Sequence, residues 1–97
     1  YGKRRIYTLR MDISLFVFDS MYNVGGYIST KLSEALGHTV IVVNEKTGYG
    51  NIRGDLTNLV MSVLNEKGIK AGGHRGAGGF RLESKTIDDL MEILREI

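Results

Sequence analysis

Two apolar runs, ISLFVFD at residues 13–19 and TVIVVNE at residues 39–45, constrain the fold of this chain more than any other feature of its sequence. The first run is apolar at both odd and even positions towards its end, and the second is rich in β-branched residues. Runs of this kind are typical of strands that are covered on both faces. We therefore expect a sheet with helices on both sides.

Three other segments space their apolar residues as amphipathic helices do. The first follows Asn23, which we expect to be its N-cap, and it stops at Gly37. The second is the most regular, and we expect Asp55 to cap it and Gly68 to end it. The third covers residues 86–97 and begins with a Thr and an Asp that are spaced as a capping box.

Shorter strands complete the pattern at residues 6–9, 49–53 and 79–84. The elements then follow the order β-β-α-β-β-α-β-α, with a glycine-rich loop before the last strand. The fold class that fits this order is α/β, with a single mixed β-sheet of about five strands flanked by three helices. Because the chain has no internal repeat and no long linker, we expect residues 1–97 to form a single domain.

Composition excludes several classes of site and partner. Thirteen Lys and Arg against eleven Asp and Glu give a net charge of +2, so any anion site must be local. The lack of cysteine excludes disulfides, iron–sulfur clusters and thiolate zinc sites. No apolar run reaches the ~20 residues of a membrane span and no signal peptide is visible, so we expect a cytoplasmic protein without a membrane partner. Because the chain starts at Tyr1 rather than Met, we expect it to be part of a longer protein.

The segment AGGHRGAGGF, residues 71–80, holds five glycines around one histidine and one arginine. Glycine permits positive φ and lets backbone N–H groups face an anion without a Cβ atom in the way. His74 and Arg75 could donate further hydrogen bonds to the same anion. The segment therefore predicts a phosphate or carboxylate nest, with a flexible connection before a strand as the alternative.

Known nucleotide-binding motifs do not account for this glycine segment. In a dinucleotide fingerprint that started at Gly76, the third glycine would fall on Arg81. A P-loop needs Lys and then Ser or Thr after its last glycine, whereas Gly79 is followed by Phe80. Both motifs are excluded.

Arg53 is a second candidate for anion binding. It follows the short strand at residues 49–53 and precedes a helix N-terminus, where orphan N–H groups and the helix dipole favour anions. The alternative is a solvated arginine that faces Asp55. No catalytic triad and no Asp/His cluster with metal-ligand spacing is visible, so the chain has the character of a binding module rather than a complete enzyme.

The segment AGGHRGAGGF, followed by RLES and a final amphipathic helix, resembles the C-terminal accessory domain of the DHH phosphoesterase superfamily. The hallmark of that domain is a GGGH loop that precedes a strand, and the earlier elements ISLFVFD, TVIVVNE and NIRGD occur in the expected order. Two positions depart from the pattern, because Ala71 stands in place of the first glycine and Asn51 in place of a frequent serine.

The resemblance implies a division of labour within a longer phosphoesterase. A separate N-terminal DHH domain would hold manganese, while this domain would need no cofactor and would grip the phosphate end of single-stranded nucleic acid, a short oligonucleotide, a cyclic dinucleotide or polyphosphate. RecJ-type exonucleases and nano-RNases are the members of the superfamily that this chain most resembles. Carried over by position, the residues implied to contact substrate are Gly72, Gly73, His74, Arg53, Arg75 and Asn51. The alternative from another class is a structural or protein-interaction domain with no phosphate site.

Overall fold

A computed structural model of the chain describes residues 4–10 and 12–97. Six strands and three helices follow one another within these described residues. Their bounds are β1 Arg5–Arg10, β2 Ile13–Phe18, α1 Gly25–Leu36, β3 Thr39–Asn44, β4 Tyr49–Arg53, α2 Thr57–Glu66, β5 Ala71–His74, β6 Ala77–Arg81 and α3 Ile87–Leu94.

The strands form a single sheet in the order β1-β2-β3-β4-β6-β5. Only β2 and β3 are parallel, joined through α1, and the other neighbours are antiparallel. The two apolar runs are thus adjacent at the centre of the sheet, where both of their faces are covered. The prediction of a mixed sheet with three helices is confirmed. Within the described ranges, no helix is long and apolar enough to cross a lipid bilayer.

The two faces of the sheet pack against different helices. On one face Phe18, Val40 and Val42 are buried against apolar side chains of α1. On the other face Ile41 and Val43 belong to a larger core that includes residues of α2 and α3. The alternation of side chains along β3 therefore sends successive residues into two separate apolar layers.

The sheet has six strands rather than the five predicted, because part of the glycine segment is itself a strand. Residues predicted as a loop form a hairpin in which β5 and β6 pair across a two-residue turn. Glycine disfavours strands locally, but pairing with a neighbouring strand can override that preference. The side chain of Asn65 helps here, since it accepts a hydrogen bond from the Ala71 N–H and donates one to the Ala71 carbonyl, both at 3.0 Å.

Two of the predicted helix N-caps are wrong. The N-cap of α1 is Val24 rather than Asn23, and no side chain caps this helix. The N-cap of α2 is Leu56 rather than Asp55, again without a side-chain hydrogen bond. Each N-cap therefore lies one residue later than predicted. Before α2, a contact with the sheet sets the loop, since the Leu56 N–H donates to Thr39 Oγ1.

Other helix boundaries follow the sequence closely. Gly37 ends α1 in the left-handed conformation, with φ of 69°. The capping box of α3 is confirmed: Thr86 Oγ1 accepts from the Asp89 N–H, and the Asp89 carboxylate accepts from the Thr86 N–H. Helix α2 ends at Glu66, and Gly68 follows it with φ of 87°.

Candidate functional site

Strand β4 sends alternate side chains to the two faces of the sheet. Ile52 is 1% exposed and packs in the core with α2 and α3, so Asn51 and Arg53 face the side of α1. A Cβ atom on Gly25, the first residue of α1, would lie only 2.3 Å from Asn51 Oδ1. The absence of a side chain on Gly25 thus allows the N-terminus of α1 to approach this face of β4 closely.

Asn51 begins a row of residues that runs across three strands. It is the partner of Gly79 on β6, and Gly79 is the partner of Gly72 on β5. A Cβ on Gly72 would meet no atom within 4 Å, and one on Gly79 would come no closer than 3.4 Å, to the Gly50 carbonyl oxygen. We call the surface of Gly72 and Gly79 the glycine trough. Packing does not require glycine at either position, but a side chain there would fill the trough.

A second row lies beside the glycine trough, towards the turn of the hairpin. Arg53 is the partner of Ala77, and Ala77 is the partner of His74. The three residues line a cleft of about 240 Å³ together with the trough and Ser29 of α1. Arg53 Nε is buried and has no hydrogen-bond partner among the described residues. Because leaving a buried N–H unpaired is costly, an acceptor in this cleft would stabilise the arginine.

A third row lies on the other side of the trough, at the opposite end from the turn. Tyr49 is the partner of Arg81, whose backbone N–H donates to the Lys70 carbonyl at 3.4 Å. All three residues line a wider cleft of about 630 Å³ that also contains the glycine trough. Sequence reasoning missed this row, although Tyr49 has the period-2 spacing to Asn51 and Arg53 that marks one face of a strand.

The two clefts are cationic although the whole chain is nearly neutral. Their described lining residues include the cationic side chains Arg53, Lys70 and Arg81, and no Asp or Glu. The N-terminus of α1 adds to this polarity, since it has neither a capping side chain nor an acidic residue in its first turn. A helix end of this kind carries partial positive charge and favours anions.

Gly73 lies at the smaller cleft with the other predicted site residues but is also required by the hairpin, whereas Arg75 lies outside both clefts. Gly73 has φ of 151°, and a Cβ on it would lie 2.5 Å from the Ala77 carbonyl oxygen, so the hairpin itself requires glycine there. Only its backbone lines the smaller cleft. Arg75 is exposed in the two-residue turn and lines neither cleft. Asn51, Arg53, Gly72 and His74 do lie together on one face.

The predicted nest of free amides does not form along β6. That strand pairs with β4 on one side and β5 on the other, so its backbone groups take part in the sheet. Among the described residues, the polar groups available to a ligand in the clefts are mainly side chains around the glycine trough. In the same described part of the chain, no group of three His, Asp or Glu side chains could hold a metal ion.

No protein-family model and no curated protein sequence matches the chain. Solved structures do match it. A structure of RecJ from Thermus thermophilus in complex with Mg²⁺ superposes with a TM-score of 0.67 over 88% of this chain, at 17% identity. An uncharacterized protein from Helicobacter pylori gives 0.52 over 86% at 22% identity. The DHH domain of a protein assigned to a family of ribosomal proteins gives 0.53 over 96% at 17% identity.

The chain therefore shares its fold with a part of RecJ and with a part of the protein whose DHH domain was solved. The chain spans 14% of the RecJ chain and 25% and 27% of the other two. At these identities the likeness shows the fold alone, and it confirms the fold that the sequence resemblance implied. The roles of Asn51, Arg53, Gly72 and His74 stay predictions.

Proposed function

We propose that this chain is the substrate-binding domain of a DHH-type phosphoesterase, and that it grips a phosphate of single-stranded nucleic acid or a short oligonucleotide. The observation that carries the proposal is the grouping of Asn51, Arg53 and His74 around the glycine trough. These three polar side chains come from two strands that are not adjacent in the sheet. The N-terminus of α1 approaches Asn51, and Ser29 of α1 lines the same smaller cleft.

Each group has a role that its chemistry allows. Arg53 can donate charge-assisted hydrogen bonds to phosphate oxygens, including one from the Nε–H that has no partner among the described residues. His74 can donate one N–H even when its imidazole is neutral, and Asn51 can donate from its amide nitrogen. The bare backbone at Gly72 and Gly79 leaves room for a tetrahedral phosphate beside the strand surface.

Hydrolysis is assigned to a different domain in this proposal. The residues described here do not fit a manganese site, because no cluster of three carboxylate or imidazole ligands occurs among them. The proposal therefore includes a separate DHH domain of the same protein, which would supply the metal ligands. In this chain we derive only the binding and orientation of the substrate.

The test is a titration of the 97-residue chain with 5′-phosphorylated pApA and with a short single strand at two salt concentrations. Affinity should fall as salt rises, with a slope of about 0.7 on a log–log scale for each phosphate contacted. Arg53→Ala and His74→Ala should weaken binding, while circular dichroism and the melting temperature show that both variants fold. Arg75→Ala serves as the matched control, because this arginine lines neither cleft.

Three results would contradict the proposal. Binding that does not respond to salt would argue against phosphate contacts. No binding, or equal binding by the chain and its Arg53→Ala variant, would favour a structural or protein-interaction domain instead.

A further inference from the structure

Exposed aromatic side chains are concentrated in the wider cleft. Of the three exposed tyrosines in the described ranges, Tyr22 and Tyr49 line this cleft, and Tyr27 does not. Tyr22 is 73% exposed and Tyr49 is 50% exposed, and the neighbouring Met21 is 81% exposed. Large apolar side chains that are grouped on a cationic surface require a reason beyond the packing of the core.

Contacts within the sheet hold Tyr49 in place. The guanidinium carbon of Arg81 lies 4.6 Å from the centre of the Tyr49 ring, and Arg81 also donates a hydrogen bond to the Tyr49 hydroxyl. The arginine therefore covers one face of the ring, while half of the side chain stays exposed. An aromatic ring that is held in this way can stack with little loss of conformational entropy.

Hydrogen bonds fix the backbone of Tyr22, which lines the same wider cleft. Its N–H donates to Ser20 Oγ at 3.0 Å, and its carbonyl accepts from the Val24 N–H at 3.0 Å. These bonds form a tight turn directly before α1. The turn presents an exposed ring beside the helix end that approaches Asn51.

The two rings lie close to the glycine trough. Tyr49 and Asn51 are two residues apart on one face of β4, which corresponds to about 7 Å along the strand. Tyr22, Tyr49 and the trough line the same cleft, together with the cationic residues Lys70 and Arg81. A phosphate in the trough would therefore place its attached nucleoside within reach of the rings.

We propose that Tyr22 and Tyr49 form a stacking surface for a nucleobase whose phosphate is bound in the glycine trough. This inference rests on the proposed function and names its substrate class: nucleotide chains with intact bases, rather than inorganic polyphosphate. Aromatic rings beside a cationic groove are suited to single strands, because every base offers a π-face to stack on. The charge of the lining complements the phosphodiester backbone.

The experiment compares three ligands by fluorescence anisotropy with the 97-residue chain. One ligand is a 5′-phosphorylated tetranucleotide, the second is the same strand with abasic residues, and the third is inorganic polyphosphate as a competitor. The intact strand should bind about 5- to 100-fold more tightly than the abasic strand for each base stacked. Polyphosphate should compete with the abasic strand at lower concentrations than with the intact strand.

Variants separate stacking from phosphate binding. Tyr22→Ala and Tyr49→Ala should each reduce the advantage of the intact strand at least about 5-fold and leave the affinity for the abasic strand unchanged. Tyr22→Phe should restore binding, because it keeps the ring. Tyr27→Ala is the matched control: this tyrosine is 69% exposed on α1, lies near Lys31 and does not line the cleft.

The outcomes distinguish this inference from the proposed function. Equal affinity for intact and abasic strands, still lost in Arg53→Ala, would overturn the stacking surface and leave the phosphate site standing. No binding of any ligand would overturn both. Should Tyr49→Ala fail to fold, Tyr22→Ala decides the question alone, because the ring of Tyr22 is outside the core.

Discussion

At the residue scale, neighbouring glycines of the hairpin have different physical roles. Gly73 has a positive φ and no room for a Cβ atom, so the fold requires it. Gly72 has an ordinary φ and open space around the position of a Cβ atom, so the fold does not require it. Glycine at position 72 therefore keeps the trough open.

The two glycines give a matched pair of variants. Gly72→Ala should change the free energy of unfolding by no more than about 1 kcal/mol and can be stabilising, because alanine restricts the unfolded chain. It should nevertheless weaken pApA binding by about tenfold or more, which corresponds to about 1.4 kcal/mol.

Gly73→Ala should destabilise the fold by about 1–3 kcal/mol through backbone strain. Chemical denaturation and the pApA titration measure both effects, and unchanged affinity in Gly72→Ala would remove the trough from the site.

At the element scale, the N-termini of α1 and α3 differ in a way that relates to function. In helix α3 the Asp89 N–H is satisfied by the Thr86 side chain, and the first turn carries Asp88 and Asp89. Helix α1 has no side-chain cap and no acidic residue in its first turn, and it begins at the cleft. The N-terminus of α3, which lines neither cleft, is thus stabilised by the protein's own acidic groups. The N-terminus of α1, at the wider cleft, stays open to an external anion.

The capping box of α3 predicts a pH dependence. The hydrogen bond from the Thr86 backbone N–H, followed by the contact with the Thr86 side chain, lowers the pKa of Asp89 below its ordinary value of 3.8. A carboxyl whose pKa is lowered by folding contributes stability that is present above 3.8 and is lost as the pH falls through the folded-state pKa. Asp89→Asn should therefore destabilise the protein at neutral pH, and the difference from the parent chain should shrink in acid.

Thermal melts from neutral pH to below pH 3.8 measure that difference. Asp88→Asn is the control, because its side chain has no part in the capping box. A difference between the parent chain and Asp89→Asn that stayed constant with pH would contradict the assignment.

At the scale of the whole molecule, the cleft lies on the sheet face that is less fully covered. A single helix, α1, packs on that face near the centre of the sheet, while α2 and α3 cover the other face. The surface of β4, β6 and β5 beside α1 is open and cationic. Under the proposed function, this open surface would form one wall of a substrate cleft, and a second domain would supply the other wall.

Activity should accordingly require that second domain. We expect the purified 97-residue chain to leave pApA intact in the presence of Mn²⁺, because its described residues contain no cluster of metal ligands. Chromatography of the products measures this directly. The division of labour would be contradicted if the chain released AMP. This activity would have to co-purify with the protein and disappear in Arg53→Ala.

Local patterns in the sequence determined the helices, the central strands and the capping box of α3. The apolar runs at β2 and β3 and the period of the helices follow from the spacing of side chains within one segment, which a sequence displays directly. The glycine-rich turn before it indicated Tyr49–Arg53 as a strand that pairs back on the sheet. Arg53 and His74 could also be named as candidates, from the resemblance and from the glycines next to them, and their roles stay predictions.

Only the tertiary structure decided how the site is arranged. Strand β5 is rich in glycine and forms because β6 and Asn65 pair with it, so no local propensity could indicate it. The rows that place Asn51 beside the glycine trough depend on the register between strands that are distant in sequence. The same register separates Gly72 from Gly73, which are identical in type and adjacent in the chain. Register is set by packing across the whole sheet, and this is why the sequence indicated the candidate residues but not the surface that they form.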